Sequence, residues 1–164
     1  LLKRNQEFKV GDLNFKTIFI PGHTSGHIAF YLEKERVIFT GDTLFSLGCG
    51  RVFEGTYQQM FDSLNKIKSL PGDTKVYCGH EYTKNNLGFC IKYNPNNNYL
   101  KGKKKIIESK IKDKQPTIPS TIRDEIQTNI FLRYDDLDVK NALNLKKASD
   151  LEIFTKLRDL KDNF

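Results

Sequence analysis

The chain has 164 residues, enough for one ordinary domain or a domain with a small appendage. Hydrophobic residues make up 38% of it and charged residues 29%, which is typical of a folded globular protein and excludes a disordered one. Twenty-seven Lys and Arg against twenty Asp and Glu give a formal net charge of +7. This charge favours an anionic partner, and nucleic acid, a membrane surface and a small acidic substrate all fit it.

The sequence predicts no membrane span, because no apolar run approaches the roughly 18 residues that a transmembrane helix needs. Residues 1–14 lack the long apolar stretch of a signal peptide and begin with Leu instead of Met. We therefore expect a further segment upstream of Leu1.

The three cysteines, Cys49, Cys78 and Cys90, form no C-x-x-C pair. Their odd number favours reduced thiols in a reducing compartment. The cytoplasm is therefore the default location.

Short apolar runs in the first half of the chain are typical of β-strands. Runs of aromatic and β-branched residues predict strands over Phe15–Ile20, Ile28–Leu32, Arg36–Thr40 and Lys75–Cys78. These runs are nearly continuous and do not alternate with polar residues. We therefore expect both faces of the strands to be buried between helices.

The second half of the chain predicts helices, and one more helix lies between the predicted strands. A capping box at Thr56–Gln59 precedes an apolar stripe over Met60–Ile67. A second capping box at Ser149–Glu152 precedes an amphipathic stripe over Ile153–Phe164.

Three predicted strands end in a turn that carries a His or an Asp, namely His23, Asp42 and His80. Taken singly, an imidazole in a turn can be a ligand, a general base or a structural hydrogen-bonder, and an Asp can cap a helix. Taken together they indicate a metal site, because zinc and iron accept both groups and one carboxylate can bridge two ions. His27 precedes an apolar strand, and we expect it to be a packed, hydrogen-bonded neighbour.

Four motifs in a fixed order carry a resemblance to a known family. PGHTSGH (21–27), FTGDTLF (39–45), GCGRVFEGT (48–56) and VYCGHEYTKNN (76–86) resemble the hydroxyacylglutathione hydrolase (glyoxalase II) family of the metallo-β-lactamase superfamily. The likeness continues through residues 116–121 and 129–133 to LRDLKDNF (157–164). PGHTxGH and GD alone indicate the superfamily, whereas GCGR, CGHEYT and the terminal R-x-x-K point to this family.

The resemblance implies an α/β (α+β) fold and an activity. Residues 1–81 would be the C-terminal part of the αββα metallo-β-lactamase sandwich, and residues 82–164 an all-helical substrate-binding domain. The implied reaction is hydrolysis of S-D-lactoylglutathione to D-lactate and glutathione, the second step of methylglyoxal detoxification. It would use two divalent metal ions, zinc, iron or manganese. His23 would ligate the first, His80 the second and Asp42 both, with a metal-bridging hydroxide as nucleophile.

The sequence departs from the family in one respect. Family members supply further metal ligands from a T-H-x-H-x-D-H segment, and no such string occurs in these 164 residues. Since two His and one Asp cannot complete a binuclear site, we expect the chain to be the C-terminal portion of a longer enzyme and inactive by itself. We expect a monomer for the full-length protein, whereas the portion given can self-associate.

The resemblance also implies a binding site for the glutathione thioester. Arg158 and Lys161 lie three residues apart on the predicted last helix and would bind a substrate carboxylate. Arg51, Phe53 and Tyr82 match further substrate-binding positions, and Phe53 stands where many members have Tyr. From the helical periodicity alone, a solvated helix face is the favoured interpretation of the two cations, and Tyr82 can equally begin a helix and pack.

The basic run Lys101–Lys114 raises the hypothesis of nucleic-acid binding, because a basic helix can bind phosphate backbones. It has few interleaved aromatics and no nucleic-acid motif, so we interpret it as a solvated helix and expect neither nucleic acid nor a membrane as partner. Two alternatives to the hydrolase stay open. One is a non-catalytic glutathione- or anion-binding module, and the other is a different metallo-β-lactamase-fold enzyme such as a persulfide dioxygenase.

Overall fold

The computed structural model describes residues 6–164, and most of its strands lie in the first half of the chain. They are β1 (Glu7–Val10), β2 (Leu13–Phe19), β3 (Ile28–Leu32), β4 (Val37–Gly41), β5 (Leu44–Phe45), β6 (Gly48–Cys49), β7 (Lys75–Cys78) and β8 (Ser120–Thr121). One sheet has the order β1-β2-β3-β4-β7-β8, and β5 pairs with β6 in a small hairpin. Together with the helices this is a mixed α+β architecture.

The helices share one buried core with a face of this sheet. They are α1 (Tyr57–Lys68), α2 (Thr83–Tyr93), α3 (Asn98–Lys112), α4 (Ile122–Thr128), α5 (Leu137–Ala142) and α6 (Asp150–Asp162), with a 3-10 turn at Ile130–Leu132. Both predicted capping boxes are confirmed, at the starts of α1 and α6. Within residues 6–164 no helix combines the length and the apolar character needed to cross a bilayer.

Strand direction decides where the motif-bearing turns meet. β2 is antiparallel to β3, β3 is antiparallel to β4, and β4 is parallel to β7. Strands β2, β4 and β7 therefore run in the same direction, and their carboxyl ends lie at one edge of the sheet. The turns that carry His23, Asp42 and His80 follow those three ends.

The predicted strands are present with small shifts at their ends. β3 and β7 have the predicted bounds, whereas β2 and β4 differ by one or two residues. Four strands were not predicted: β1, β5, β6 and β8. β1 is a charged four-residue segment and the others have two residues each, so none contains an apolar run that a sequence pattern could reveal.

The prediction that both faces of the strands are buried is wrong for the part of the chain that the structure describes. Tyr31, Ile38 and Val76 lie on one face and belong to the buried core with α1. On the other face Phe39 stacks on Tyr77 and is 42% exposed. The continuous apolar runs thus come from aromatic side chains on the second face.

Aromatic side chains dock the last helix onto the rest of the protein. Phe154 of α6 is fully buried, and its ring lies 5.7 Å from Phe61 of α1 and 6.2 Å from Phe131. Phe131 in turn stacks on Phe89 of α2 at 5.7 Å. These rings join the sheet-containing half to the helical half in one core.

The Phe154→Ala substitution is expected to lower the free energy of unfolding by about 3–5 kcal/mol, because it leaves a cavity among these rings. Urea unfolding of the natural gene product measures the change. Tyr99→Ala, at a 62% exposed position on α3, is the control and is expected to have an effect within about 0.5 kcal/mol. A Phe154→Ala protein as stable as this control would contradict the docking role.

The cysteines are unpaired, and Cys49 and Cys90 are buried. Burial raises the pKa of Cys90 to about 12 and also raises the pKa values of Cys49 and Cys78. Since the thiolate is the reactive form, we expect slow alkylation of all three by iodoacetamide at pH 8 in the native state and rapid alkylation in urea. Fast native labelling of Cys49 or Cys90 would contradict this expectation, and peptide mass spectrometry reads each site separately.

Candidate active site

The structure brings together the three side chains that follow the strand ends. His23 Nε2 lies 3.6 Å from Asp42 Oδ2, and His80 Nε2 lies 3.5 Å from Asp42 Oδ1. Each oxygen of the carboxylate therefore faces a different imidazole. Asp42 occupies the middle of the group because, in the strand order of the sheet, β4 lies between β2 and β7.

Two glycines let the backbone approach Asp42 closely. A Cβ atom on Gly50 would lie 1.9 Å from the carbonyl oxygen of Asp42, and one on Gly79 would lie 2.7 Å from Asp42 Oδ1. Asp42 Oδ1 is buried, and no hydrogen bond within residues 6–164 reaches it. Because a buried carboxylate oxygen without a donor is costly, this surrounding favours a bound cation.

Backbone groups orient the two histidines of PGHTSGH differently. His23 Nδ1 lies 2.9 Å from the carbonyl oxygen of Arg51, and donation to that oxygen leaves Nε2 free as a ligand atom toward Asp42. Metal-ligating imidazoles characteristically donate their second ring N–H in this way. His27 instead accepts a hydrogen bond from the Asp42 N–H at 3.3 Å, as expected of a packed neighbour.

The distances at Asp42 fit ions placed between each imidazole and the carboxylate. Two ligand atoms that lie about 2.0–2.2 Å from one ion at a tetrahedral angle are roughly 3.3–3.6 Å apart. No group of three or more His, Cys, Asp or Glu within residues 6–164 is arranged to hold a metal ion. The described residues therefore offer one imidazole and one carboxylate oxygen at each of two positions, and each position needs further ligands.

A cavity of about 620 Å³ opens beside Asp42. Its volume lies in the range of about 300–1,000 Å³ that is typical of small-molecule sites. Arg51, Arg158 and Lys161 supply positive charge to its lining, and Asp162 supplies a carboxylate. The cavity therefore combines the strand-end group with a site suited to an anion.

Arg158 is buried, with only 3% of the residue exposed. Its Nη1 donates to the Cys49 carbonyl oxygen at 2.6 Å, and its Nη2 donates to Asp162 Oδ1 at 3.0 Å. The guanidinium also lies over the Phe131 ring at 5.1 Å. A solvated helix face is therefore the wrong interpretation of Arg158, and much of its donor capacity is used inside the protein.

The other two cations are more accessible than Arg158. Arg51 Nε lies 3.4 Å from Asp162 Oδ1, and the Arg51 side chain is 60% exposed. Lys161 is half-buried, donates to Asn85 Oδ1 and lies 5.0 Å from the centre of the Phe164 ring. Burial, followed by the charge of Arg158, lowers the pKa of Lys161.

The aromatic positions predicted for substrate binding flank the imidazoles. The Phe53 ring lies 5.2 Å from His23 and is 68% exposed. The Tyr82 ring stacks on His80 at 5.0 Å, and Tyr82 also precedes the first turn of α2. Both rings stand at the wall of the cavity beside a candidate ligand.

Two carboxylates near the site are committed to loop hydrogen bonds. Glu54 accepts from the Ser25 N–H at 2.8 Å, and Glu81 accepts from the Thr117 N–H and hydroxyl, each at 2.5 Å. Hydrogen bonding from these partners lowers the pKa values of both carboxyls. Glu54 and Glu81 thus fix the loops after β2 and β7.

Sequence reasoning missed seven residues that line the cavity, among them Asp162, Asn85 and Phe45, which contact predicted site residues. Asp162 lies four residues after Arg158, a helical ion-pair spacing that could have identified it. Phe45 belongs to the FTGDTLF motif, and its ring lies 5.3 Å from Tyr82. Asn85 carries no comparable signal, because its contact with Lys161 spans 76 positions of the chain.

Comparison with known families gives two matches, one in each half of the chain. Residues 81–164 match the family described as hydroxyacylglutathione hydrolase C-terminus. Residues 2–80 match the metallo-beta-lactamase superfamily. The first of these matches covers more than half of the chain.

Curated relatives carry the same name over most of the chain. The hydroxyacylglutathione hydrolase of Pelagibacter ubique (strain HTCC1062) is 56% identical over 149 residues, which are 91% of this chain and 56% of that protein. The protein of that name from Brucella ovis is 48% identical over 163 residues, 99% of this chain and 63% of that protein. The chain therefore spans 56–63% of the length of these relatives.

Solved structures agree with the fold. The BLEG-1 B3 metallo-beta-lactamase superposes with a TM-score of 0.54 at 27% identity, over 80% of this chain and 47% of that one. ETHE1 from Myxococcus xanthus superposes with a TM-score of 0.60 at 24% identity, over 96% of this chain and 50% of that one. With a metallo-β-lactamase fold in its first half and the family-specific C-terminus in its second, the chain belongs to the hydroxyacylglutathione hydrolase family.

Proposed function

We propose that the protein hydrolyses a 2-hydroxyacyl-glutathione thioester, S-D-lactoylglutathione, to D-lactate and glutathione. The observation that carries the proposal is the Asp42 carboxylate, which faces one imidazole with each oxygen and opens onto a cavity lined by cations. Family membership supports the choice of thioester, because the curated relatives are named for this activity.

His23 with Asp42 Oδ2 would hold one metal ion, and His80 with Asp42 Oδ1 would hold a second. Imidazole and carboxylate suit zinc, iron and manganese alike. When bound, such ions lower the pKa of a coordinated water toward about 7 and polarise the thioester carbonyl. Asp42 is the residue shared by both positions, so the placement of its backbone, whose N–H donates to the His27 imidazole, matters for both.

The net reaction adds one water across the thioester C–S bond: a C–O bond forms at the carbonyl carbon, and the sulfur leaves as the glutathione thiolate. The chain contributes orientation to this step. The Arg51 carbonyl fixes the His23 ring, and the absence of a side chain at Gly50 and Gly79 leaves room for the Asp42 carboxylate. Cys49 lines the cavity, and burial raises the pKa of its thiol, so it is unsuited to act as the nucleophile.

Glutathione carries two carboxylates and one ammonium, and the cavity offers partners for them. Arg51 and Lys161 are the accessible cations, and a charge-assisted hydrogen bond from either to a carboxylate contributes about 1.5–3 kcal/mol. Arg158 supports this site indirectly, because it donates a hydrogen bond to the carbonyl oxygen of Cys49 in the cavity wall. Phe53 and Tyr82 provide apolar walls beside the reacting group.

We further propose a division of labour in which residues 1–81 carry the metal ligands and residues 82–164 carry most of the substrate site. Unpaired cysteines support a reducing compartment, and we place the protein in the cytoplasm on that ground. We propose a monomeric full-length enzyme, and we expect residues 1–164 alone to show little or no turnover, because each metal position needs further ligands.

The His80→Ala substitution in the natural gene product tests the metal assignment and the activity together. Because changes in residues that merely support a metal ligand cost about 10–100-fold, loss of a ligand is expected to lower thioester hydrolysis by at least about 100-fold and to reduce bound metal. Hydrolysis is followed by loss of thioester absorbance, and metal by plasma emission spectrometry.

Glu35→Ala, in the exposed turn before β4, is the matched control and should keep both activity and metal. A His80→Ala enzyme with an unchanged rate would remove His80 from the metal centre. A wild-type enzyme that binds metal but leaves S-D-lactoylglutathione intact would overturn the proposed reaction and favour another chemistry on this fold.

The Lys161→Gln substitution tests the anion site. We expect KM for the thioester to rise about 10-fold or more with a small change in kcat, because one charge-assisted hydrogen bond is lost from substrate binding. Lys156→Gln, exposed on the same helix, is the control and should leave KM unchanged.

The lowered pKa of Lys161 adds a pH signature. As the pH rises, Lys161 loses its proton below the pH at which a free lysine does, so KM should begin to rise there. Lys161→Arg, whose guanidinium stays charged, should remove that part of the rise. A KM profile identical in both proteins would contradict the assignment.

A further inference from the structure

The hairpin Leu44–Cys49, formed by β5 and β6, is held in place by side chains from the helical half of the chain. The backbone carbonyls of residues 45 to 49 each accept a hydrogen bond from such a side chain. In the order of the carbonyls, the donors are Asn129 at 3.4 Å, Asn86 at 3.0 Å, Cys90 at 3.2 Å, Asn129 at 3.0 Å and Arg158 at 2.6 Å. The hairpin is thus anchored along its length.

Glu125 lies at the centre of this anchoring. It is fully buried, and its Oε2 accepts from the Leu47 N–H at 2.8 Å and from Asn129 Nδ2 at 2.9 Å. Asn129 in turn caps the next turn through a hydrogen bond from the Phe131 N–H. Glu125 therefore fixes both the hairpin and the side chain that donates to two of its carbonyls.

Leu47 has a backbone conformation that needs such support. Its φ is +61°, in the left-handed region that non-glycine residues seldom occupy, and its side chain is fully buried. A hydrogen bond at its N–H from Glu125 and one at its carbonyl from Cys90 compensate for this conformation. Without the Glu125 acceptor, the Leu47 N–H would be buried and unpaired.

The carboxyl of Glu125 is in an apolar setting. Burial raises its pKa, and hydrogen bonding from Leu47 and Asn129 acts in the opposite direction. A neutral amide of the same shape can therefore replace the acceptor toward Leu47.

The hairpin leads directly into the active site. Phe45 at its start contacts the Tyr82 ring at 5.3 Å. Gly50, which follows its end, donates to the Thr43 carbonyl at 3.2 Å, and the next carbonyl, that of Arg51, orients His23. A displacement of the hairpin would therefore move both the substrate walls and a candidate metal ligand.

We propose that Glu125, acting with Asn129, is a positioning residue that holds the Leu44–Cys49 hairpin in the geometry required for thioester binding. It touches neither the metal positions nor the cavity and acts through the hairpin. The kinetic part of this proposal rests on the proposed function, whereas its structural part does not.

The test compares Glu125→Leu with Glu125→Gln in the natural gene product. Leu removes the acceptor at similar volume, whereas Gln retains one oxygen for the Leu47 N–H. Glu108→Leu, at an exposed position on α3, is the matched control. Two readouts are used: amide hydrogen exchange of residues 44–50 relative to β7, and the steady-state constants for S-D-lactoylglutathione.

We expect Glu125→Leu to speed exchange in residues 44–50 by about 10-fold relative to β7, a local opening without global unfolding. We expect KM to rise about 10-fold and kcat to fall by less, since binding geometry is lost before chemistry. Glu125→Gln should restore both values to near those of the wild type. Exchange that rises equally in β7, or a KM unchanged in a hairpin that has loosened, would overturn the positioning role.

If Glu125→Leu does not fold, Asn129→Ser decides the question. Serine can still cap the Phe131 N–H but cannot donate to the carbonyls of Phe45 and Gly48, so the same local increase in exchange is expected. Unchanged exchange in residues 44–50 would overturn the proposal. If the variants show the faster exchange in residues 44–50 but the wild-type protein does not hydrolyse the thioester, only the proposed reaction is overturned.

Discussion

The site depends on one constraint: three strands that run in the same direction end at one edge of the sheet, and the middle one ends in a carboxylate. In the strand order of the sheet, β4 lies between β2 and β7, and this order places Asp42 between His23 and His80. The buried Asp42 oxygen that no described donor reaches is costly by itself, and this cost favours a cation beside it. The close approach of the Gly50 and Gly79 backbone maintains that arrangement, because a side chain at either position would push the carboxylate away.

The helical half is as necessary to the site as the sheet is. Its side chains donate to the backbone carbonyls of the Leu44–Cys49 hairpin, and α6 brings Arg158 into the core against Phe131. The cavity beside Asp42 is therefore lined by residues of both halves. Besides the pairing of β5 with β6, each carbonyl of residues 45 to 49 accepts a hydrogen bond from a side chain of the helical half. This arrangement has a cost in sequence freedom, because each donor has to be a particular residue type. That cost is consistent with the family-specific character of the C-terminal half, which matches a family of its own while the first half matches a whole superfamily.

The local parts of the fold could be predicted from the sequence, and the long-range parts could not. Capping boxes and apolar stripes identified α1 and α6, because helix signals lie within a few residues of one another. The strand ends that carry His23, Asp42 and His80 were identifiable for the same reason. The burial of Arg158 was not, because the acceptor at Cys49 is 109 positions away and only the docked core decides which face of α6 is inside. Glu125 was likewise invisible, since a lone Glu in a short helix has a surface position as its ordinary expectation.

The distribution of charge in the cavity explains more than the net charge of the chain does. Asp162 Oδ1 lies 3.4 Å from Arg51 Nε and 3.0 Å from Arg158 Nη2, so one carboxylate oxygen serves both guanidiniums. Without it, Arg51, Arg158 and Lys161 would repel one another across a partly desolvated space; burial, followed by the charge of Arg158, already lowers the pKa of Lys161. Asp162 therefore lets three cations share one small cavity. Because Arg158 is buried and uses both of its Nη atoms inside the protein while Arg51 is exposed, Arg51 and the ammonium of Lys161 are the more accessible cations of the cavity.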